Sequence, residues 1–139
     1  LQPRLSKAGV QLREQIDDCY PDRNRSTDGW IGDARHSSNK SSHHNPDADG
    51  WVRALDITAN LGSYPNEMHS LVEEMRKFGR KRLEYIIFDG KIASRKSLWR
   101  WRKYKGINPH TKHAHFSFRK SADLDNSFWN VPMLGGSNG

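Results

Sequence analysis

Two histidine-rich stretches lie far apart in this chain, and any fold it adopts must account for both. The first is Ser42-His43-His44-Asn45-Pro46. The second is His110-Thr111-Lys112-His113-Ala114-His115-Phe116, and together they hold five of the seven histidines. The second runs on into His113-Ala114-His115-Phe116-Ser117-Phe118, where polar and apolar residues alternate. Alternation marks a strand with different chemistry on its two faces. Residues 113–118 are therefore predicted as a strand with His113, His115 and Ser117 on one side. A partner strand is expected over Val52–Thr58, with Val52, Ala54, Asp56 and Thr58 on one face and Arg53, Leu55 and Ile57 on the other. Asp56 then becomes a carboxylate inside a largely apolar strand. Buried acids are rare unless paired or bound to a metal.

Periodicity organises the rest. Leu5, Ala8, Leu12, Ile16 and Cys19 recur at spacings of three and four, which predicts a helix over 4–19 that ends by Tyr20-Pro21. Asp17 and Asp18 sit near its C-terminal end, against the macrodipole. Residues 21–50 are polar apart from Trp30 and Ile31, and their histidines favour an ordered active-site loop over disorder. Met68, Leu71, Val72, Met75 and Phe78 predict a second helix over 65–80, opened by Pro65 and stopped near Gly79. Leu83 to Ala93 is expected to be a hairpin with a type I′ turn at Asp89-Gly90. Residues 95–105 are basic and aromatic; Trp99 and Trp101 either pack or line a groove. Residues 120–134 form an irregular tail with Phe128, Trp129 and Val131 docking, and 135–139 resemble a linker stub. The expectation is one catalytic domain over 1–134, of α+β class, with a small central antiparallel sheet, flanking helices and long active-site loops.

Bulk properties narrow the options. With 139 residues and 34% hydrophobic content, the chain supports one domain with a small core, to which its five tryptophans contribute. Cys19 is the only cysteine, so an internal disulfide and a multi-cysteine zinc site are both excluded. A net charge of +7 favours polyanionic partners such as nucleic acid, an anionic membrane face or an acidic wall polymer. No apolar run approaches the roughly 18 residues of a membrane span. Leu1-Gln2-Pro3-Arg4 leads into an amphipathic segment rather than a signal peptide, and the absence of an initiator methionine suggests a processed chain or an excised domain.

The clusters fit one kind of chemistry well. A catalytic zinc needs three protein ligands and an open position. His44 from a loop, Asp56 from one strand and His115 from another make such a set, with His43 as the alternative to His44. His113 shares a face with His115 and is left to handle protons, with His110 in support. His69, on a helix, reads as a bystander. Two other readings use the same residues: a His-Asn-His type metal-dependent nuclease, and a non-catalytic zinc-stabilised binding module.

Several motifs, in order, carry a resemblance. They are Asp28-Gly29-Trp30-Ile31-Gly32-Asp33-Ala34-Arg35-His36, His44-Asn45-Pro46, Ala54-Leu55-Asp56-Ile57-Thr58, Trp101-Arg102-Lys103-Tyr104-Lys105-Gly106 and Asn108-Pro109-His110-Thr111-Lys112-His113-Ala114-His115. This pattern resembles the LAS-type zinc peptidases, which include D-Ala-D-Ala carboxypeptidases, a murein endopeptidase and the hedgehog signalling domain. More closely, it is similar to the D-Ala-D-Ala carboxypeptidase-like domains of actinobacterial phage endolysins. The resemblance implies a hedgehog/DD-peptidase-like fold, Zn2+ on His44, Asp56 and His115, and His113 as acid/base with His110 beside it. It implies that Arg35 and His36 contact substrate, the arginine gripping a carboxylate. The expected activity is hydrolysis of peptide bonds in bacterial peptidoglycan, with the D-Ala–diaminopimelate cross-link favoured over the L-Ala–D-Glu bond. The expected protein is a monomeric part of a multidomain lysin, made in the host cytoplasm and acting on the cell wall, with no nucleic acid as partner.

Overall fold

A computed structural model describes residues 2–30 and 44–137. Its centre is a five-stranded antiparallel sheet. The strands are β3 (Ala54–Thr58), β4 (Leu83–Phe88), β5 (Lys91–Ser94), β6 (Arg102–Lys103) and β7 (His113–Phe118), in the order β3-β7-β4-β5-β6. Helices α1 (Lys7–Cys19) and α2 (Glu67–Phe78) supply the other layer. A short parallel pair, β1 (Arg4–Leu5) with β2 (Trp51–Val52), ties the N-terminus to the strand leading into β3. The α+β class and the antiparallel sheet are as expected.

The core forms where the two periodicities meet. Ala8, Leu12 and Ile16 of α1 and Met68, Leu71, Val72 and Met75 of α2 are buried at helical spacing. Against them lie alternate residues of the strands: Leu55, Ile57, Ile86, Ala114, Phe116 and Phe118. Gly9 permits the close approach of α1, since a Cβ there would stand 2.9 Å from Phe118 Cε2. At the hairpin tip Asp89 and Gly90 have φ of 50° and 76°, the two left-handed residues a type I′ turn requires.

Several boundaries shift. The first helix starts at Lys7, because Arg4 and Leu5 pair with Trp51 and Val52 instead. Leu5 is thus buried from a strand, and Cys19 is exposed rather than part of the apolar face. Asp17, at the unfavourable helix end, is offset by Arg23 at 2.8 Å and Arg25 at 3.1 Å. The expected strand over 52–58 divides at Arg53, where the chain passes from β2 to β3. The Arg53 guanidinium holds Asp123 and Asp47 there at 2.7 and 2.5 Å. The second helix begins after a left-handed Asn66 (φ 65°), so Pro65 precedes the helix instead of opening it.

The basic aromatic segment is mostly not a strand. Arg95–Ser97 form a 3-10 turn, and Leu98 and Trp99 follow in left-handed conformation. Trp99 is buried in the core, and Trp101 donates its indole N–H to Glu73 Oε1 at 2.7 Å. Trp99 therefore packs, whereas half-buried Trp101 packs against the core and also lines a hollow with His69, Val72, Phe88, Asp89 and Lys91. In the tail, Trp129 and Val131 dock as expected, but Phe128 is 53% exposed.

Candidate metal centre

The sheet alternates in chemistry as well as in packing. Opposite the helices, β3 presents Ala54, Asp56 and Thr58, which pair across the ladder with Ser117, His115 and His113 of β7. The next strand adds Tyr85 beside Ser117 and Ile87 beside His115. An acid and two imidazoles are thereby fixed in adjacent rows by backbone register. His44 reaches them from a turn outside the sheet. That turn is anchored just downstream, where Asp47 Oδ1 accepts the N–H groups of Asp49 and Trp51 at 2.9 Å each.

Three residues of ligand type converge. His44 Nε2 lies 3.1 Å from His115 Nδ1, and His115 Nδ1 lies 3.1 Å from Asp56 Oδ1. His44 Nε2 is 3.4 Å from Asp56 Oδ2. A tetrahedral zinc with bonds of about 2.0–2.1 Å holds its ligand atoms roughly 3.3–3.4 Å apart. The observed separations match that spacing, and all three residues are buried. Two imidazoles and one carboxylate are a donor set that suits zinc. The His44–Asp56–His115 group can therefore hold a metal ion.

The outer nitrogens explain why these atoms face inward. His44 Nδ1 stands 3.1 Å from the Trp30 carbonyl, and His115 Nε2 stands 2.7 Å from Ser117 Oγ. A ring N–H donated outward leaves the opposite nitrogen as the lone-pair donor, which selects the tautomer. Ser117 in turn hydrogen-bonds Tyr85, whose ring stacks on His115 at 5.4 Å and 9°. Burial pushes the Asp56 carboxyl toward protonation, but hydrogen bonds and charge attraction from His115 and His44 outweigh it. The net effect keeps it ionised, as a ligand must be.

The Trp30 carbonyl is itself held in place. Gly29 and Asp56 exchange backbone hydrogen bonds at 3.1 and 2.7 Å, so the segment before Trp30 caps the free edge of β3. Asp28 fixes that segment, accepting from Thr58 N–H and Oγ1 at 2.8 Å each and from both terminal nitrogens of buried Arg23 at 3.0 and 2.6 Å. Arg23, Asp28, Thr58, Tyr85 and Ser117 all support the centre. Strand alternation places Ser117 on the histidine face and Thr58 on the face of Asp56, whereas Arg23 and Tyr85 carry no signal in the histidine pattern.

His113 and His110 are arranged differently. His113 Nε2 lies 3.5 Å from Asp56 Oδ2, beside the ligand group. His110 meets His113 and His115 edge-on, with centroids 5.0 and 5.3 Å apart. It adopts φ 58°, held by the hairpin tip, where Asp89 N–H donates to the His110 carbonyl and Gly90 N–H to the Pro109 carbonyl. Burial, aided by His115, lowers His110 to a pKa of about 4, so it is neutral at pH 7. The Nδ1 atoms of His110 and His113 are buried without a partner among the described residues. Asp56, His110 and His113 also form a second, overlapping group of ligand type.

The expected metal and acid/base residues thus come together. His69 does not join them; it pairs with Asp89 at 2.9 Å on the surface. Arg35, His36 and His43 lie outside the described residues. Among the described residues, no helix is long and apolar enough to cross a membrane. No family model, curated protein or solved structure matches the chain.

Proposed function

We propose that this chain is a zinc-dependent endopeptidase acting on peptide bonds of bacterial peptidoglycan, in the manner of phage lysin domains. The observation that carries this reading is the convergence of His44, Asp56 and His115 at tetrahedral spacing, with His113 beside them. The peptide-wall part of the reading rests on the resemblance of the motifs over residues 28–115. The site residues have the composition that hydrolysis needs. A bound zinc would supply Lewis acidity to the scissile carbonyl and to the attacking water.

The chain's own residues do the rest. His113, through Nε2, takes a proton from the attacking water and returns it to the leaving amine. Asp56 Oδ2 stands 3.5 Å from His113 Nε2, which keeps that nitrogen turned toward the ligand group. Neutral His110 packs edge-on against His113 and orients it. Arg35 and His36 complete the proposal as substrate contacts. A net charge of +7 keeps the protein on an anionic wall, an attraction that salt weakens. The D-Ala–diaminopimelate cross-link is the favoured bond, and the site of action is the host cell wall.

The test uses purified diaminopimelate-type wall and, separately, plasmid DNA. Zinc-loaded protein is expected to release new amino termini from the wall. Chelation or His113→Ala should abolish the release, and His113→Ala should retain its zinc. Cleavage of DNA with the wall intact would replace this reading with the nuclease one. Stoichiometric zinc with neither activity would leave a binding module.

A further inference from the structure

Next to the metal group, on the same face of the sheet, lies a cavity of about 530 Å³. Tyr85 is the wall between them: it stacks on His115 and also lines the cavity. Ser94 stands directly across the ladder from Tyr85, and Arg102 across from Ile92, so the cavity occupies the rows next to the histidines. Its polar lining is lopsided. Four basic residues border it; Arg53 is paired with Asp123 and Asp47, and no acid pairs with Lys96, Arg102 or Lys120 among the described residues. The single lining acid among the described residues, Glu84, faces Arg95 at 3.4 Å and Arg119 at 3.9 Å instead. The Ser94 hydroxyl is buried and has no hydrogen-bond partner among the described residues, although Ser94 is only 7% exposed.

A buried hydroxyl without a partner carries a desolvation cost that a bound acceptor would remove. Those three cations at the rim of the same hollow specify a negatively charged acceptor. Apolar Ile92 and the Tyr85 ring leave room for a short methylene stem. We infer that this cavity is a substrate subsite for a carboxylate-bearing arm of the peptide, seated beside the scissile bond. The inference takes the ligand's identity from the peptidase reading. A bounded hollow suits one side-chain-sized anion better than a polymer of phosphates, which needs a continuous basic groove with stacking platforms.

The experiment is calorimetric binding to the zinc-loaded chain of two synthetic stem peptides with the same sequence. One carries free carboxylates, and in the other they are carboxamides. The wild-type protein should bind the carboxylate form at least about tenfold more tightly, the worth of a charge-assisted hydrogen bond. Ser94→Ala and the double variant Lys96→Gln/Arg102→Gln should each erase most of that preference. Affinity for the carboxamide peptide and zinc content should stay unchanged. Ser94→Ala should not lower the Tm, because its hydroxyl contributes no bond to the fold among the described residues. Equal binding of the two peptides by the wild type overturns the inference, as does a preference that survives both variants. Displacement of the peptide by a short oligodeoxynucleotide also overturns it. The two readings separate cleanly: discrimination between peptides with no wall cleavage sinks the peptidase reading alone, and wall cleavage without discrimination sinks the subsite alone.

Discussion

The two faces of the central sheet are built from the same strands by alternate residues, yet different forces hold them. Toward the helices, Leu55, Ile57, Ala114, Phe116 and Phe118 are almost wholly removed from water. On the opposite face, Asp56, His113, His115 and Ser117 meet through hydrogen bonds and charge. The first face is stabilised by apolar burial, roughly 1.5–3 kcal/mol for each large side chain. The second gathers groups that are costly to bury and whose best partner is a cation. Stability and chemistry are thus divided by the strand period. A slip of one residue in the β3–β7 ladder would exchange them.

The strongest challenge to that division is Asp56→Asn. It should reduce bound zinc from about one equivalent to none, read by metal analysis after dialysis, while the far-ultraviolet circular dichroism stays native. Zinc retained at the wild-type level would show that the histidine face does not depend on its acid. Phe116→Ala probes the other face. Denaturant unfolding in chelator should show a loss of about 3–5 kcal/mol, with the zinc affinity of the folded protein unchanged. Ser117→Ala is a finer test, because it removes one hydroxyl, the support behind His115 and its link to Tyr85. Chelator competition should find zinc bound about 10–100-fold more weakly. Metal-free stability should drop by no more than about 1.5 kcal/mol; a larger drop would make Ser117 part of the fold's support.

The smallest effect concerns Asp28, which clamps the edge segment. Burial works against its charge, but hydrogen bonds from Arg23 and Thr58 hold its carboxyl below the ordinary range. A depressed acid stabilises the fold above its unfolded pKa of about 3.9, and that contribution disappears as pH falls through the folded value. Thermal melts of the chelated protein from about pH 5 down to about pH 3 should lose less stability in Asp28→Asn than in wild type. Parallel melting curves for the two proteins would remove Asp28 from the account of acid sensitivity.

What could be read without coordinates was what depends on local pattern. The alternation through His113–Phe118 predicted which residues share a face, and Asp89-Gly90 predicted its turn. The carboxylate in an apolar strand pointed to a cation partner, and the described geometry brings His44, Asp56 and His115 together. What escaped depends on long-range register. Nothing in Arg4-Leu5 signals pairing with Trp51-Val52, because a two-residue strand has no period of its own. Arg23 looks like an ordinary loop charge, and the clamp it forms with Asp28 emerges only when Gly29 is seen against Asp56. Ser94 is invisible for the same reason: its hydroxyl stands out only once the described residues around it are seen to supply no partner.

The orientation of His44 has a further consequence for how this centre can change over generations. Its outer nitrogen is steered by the carbonyl of Trp30, a main-chain group, whereas that of His115 is steered by the side chain of Ser117. No codon change deletes a carbonyl. Position 30 can therefore drift through many residues while the His44 tautomer is inherited intact, provided the backbone bridge at Gly29 persists. Position 117 has no such freedom, because the residue there must bring its own acceptor. The two ligands share one geometry but differ in mutational exposure: one is guarded by the path of the chain, the other by a single hydroxyl.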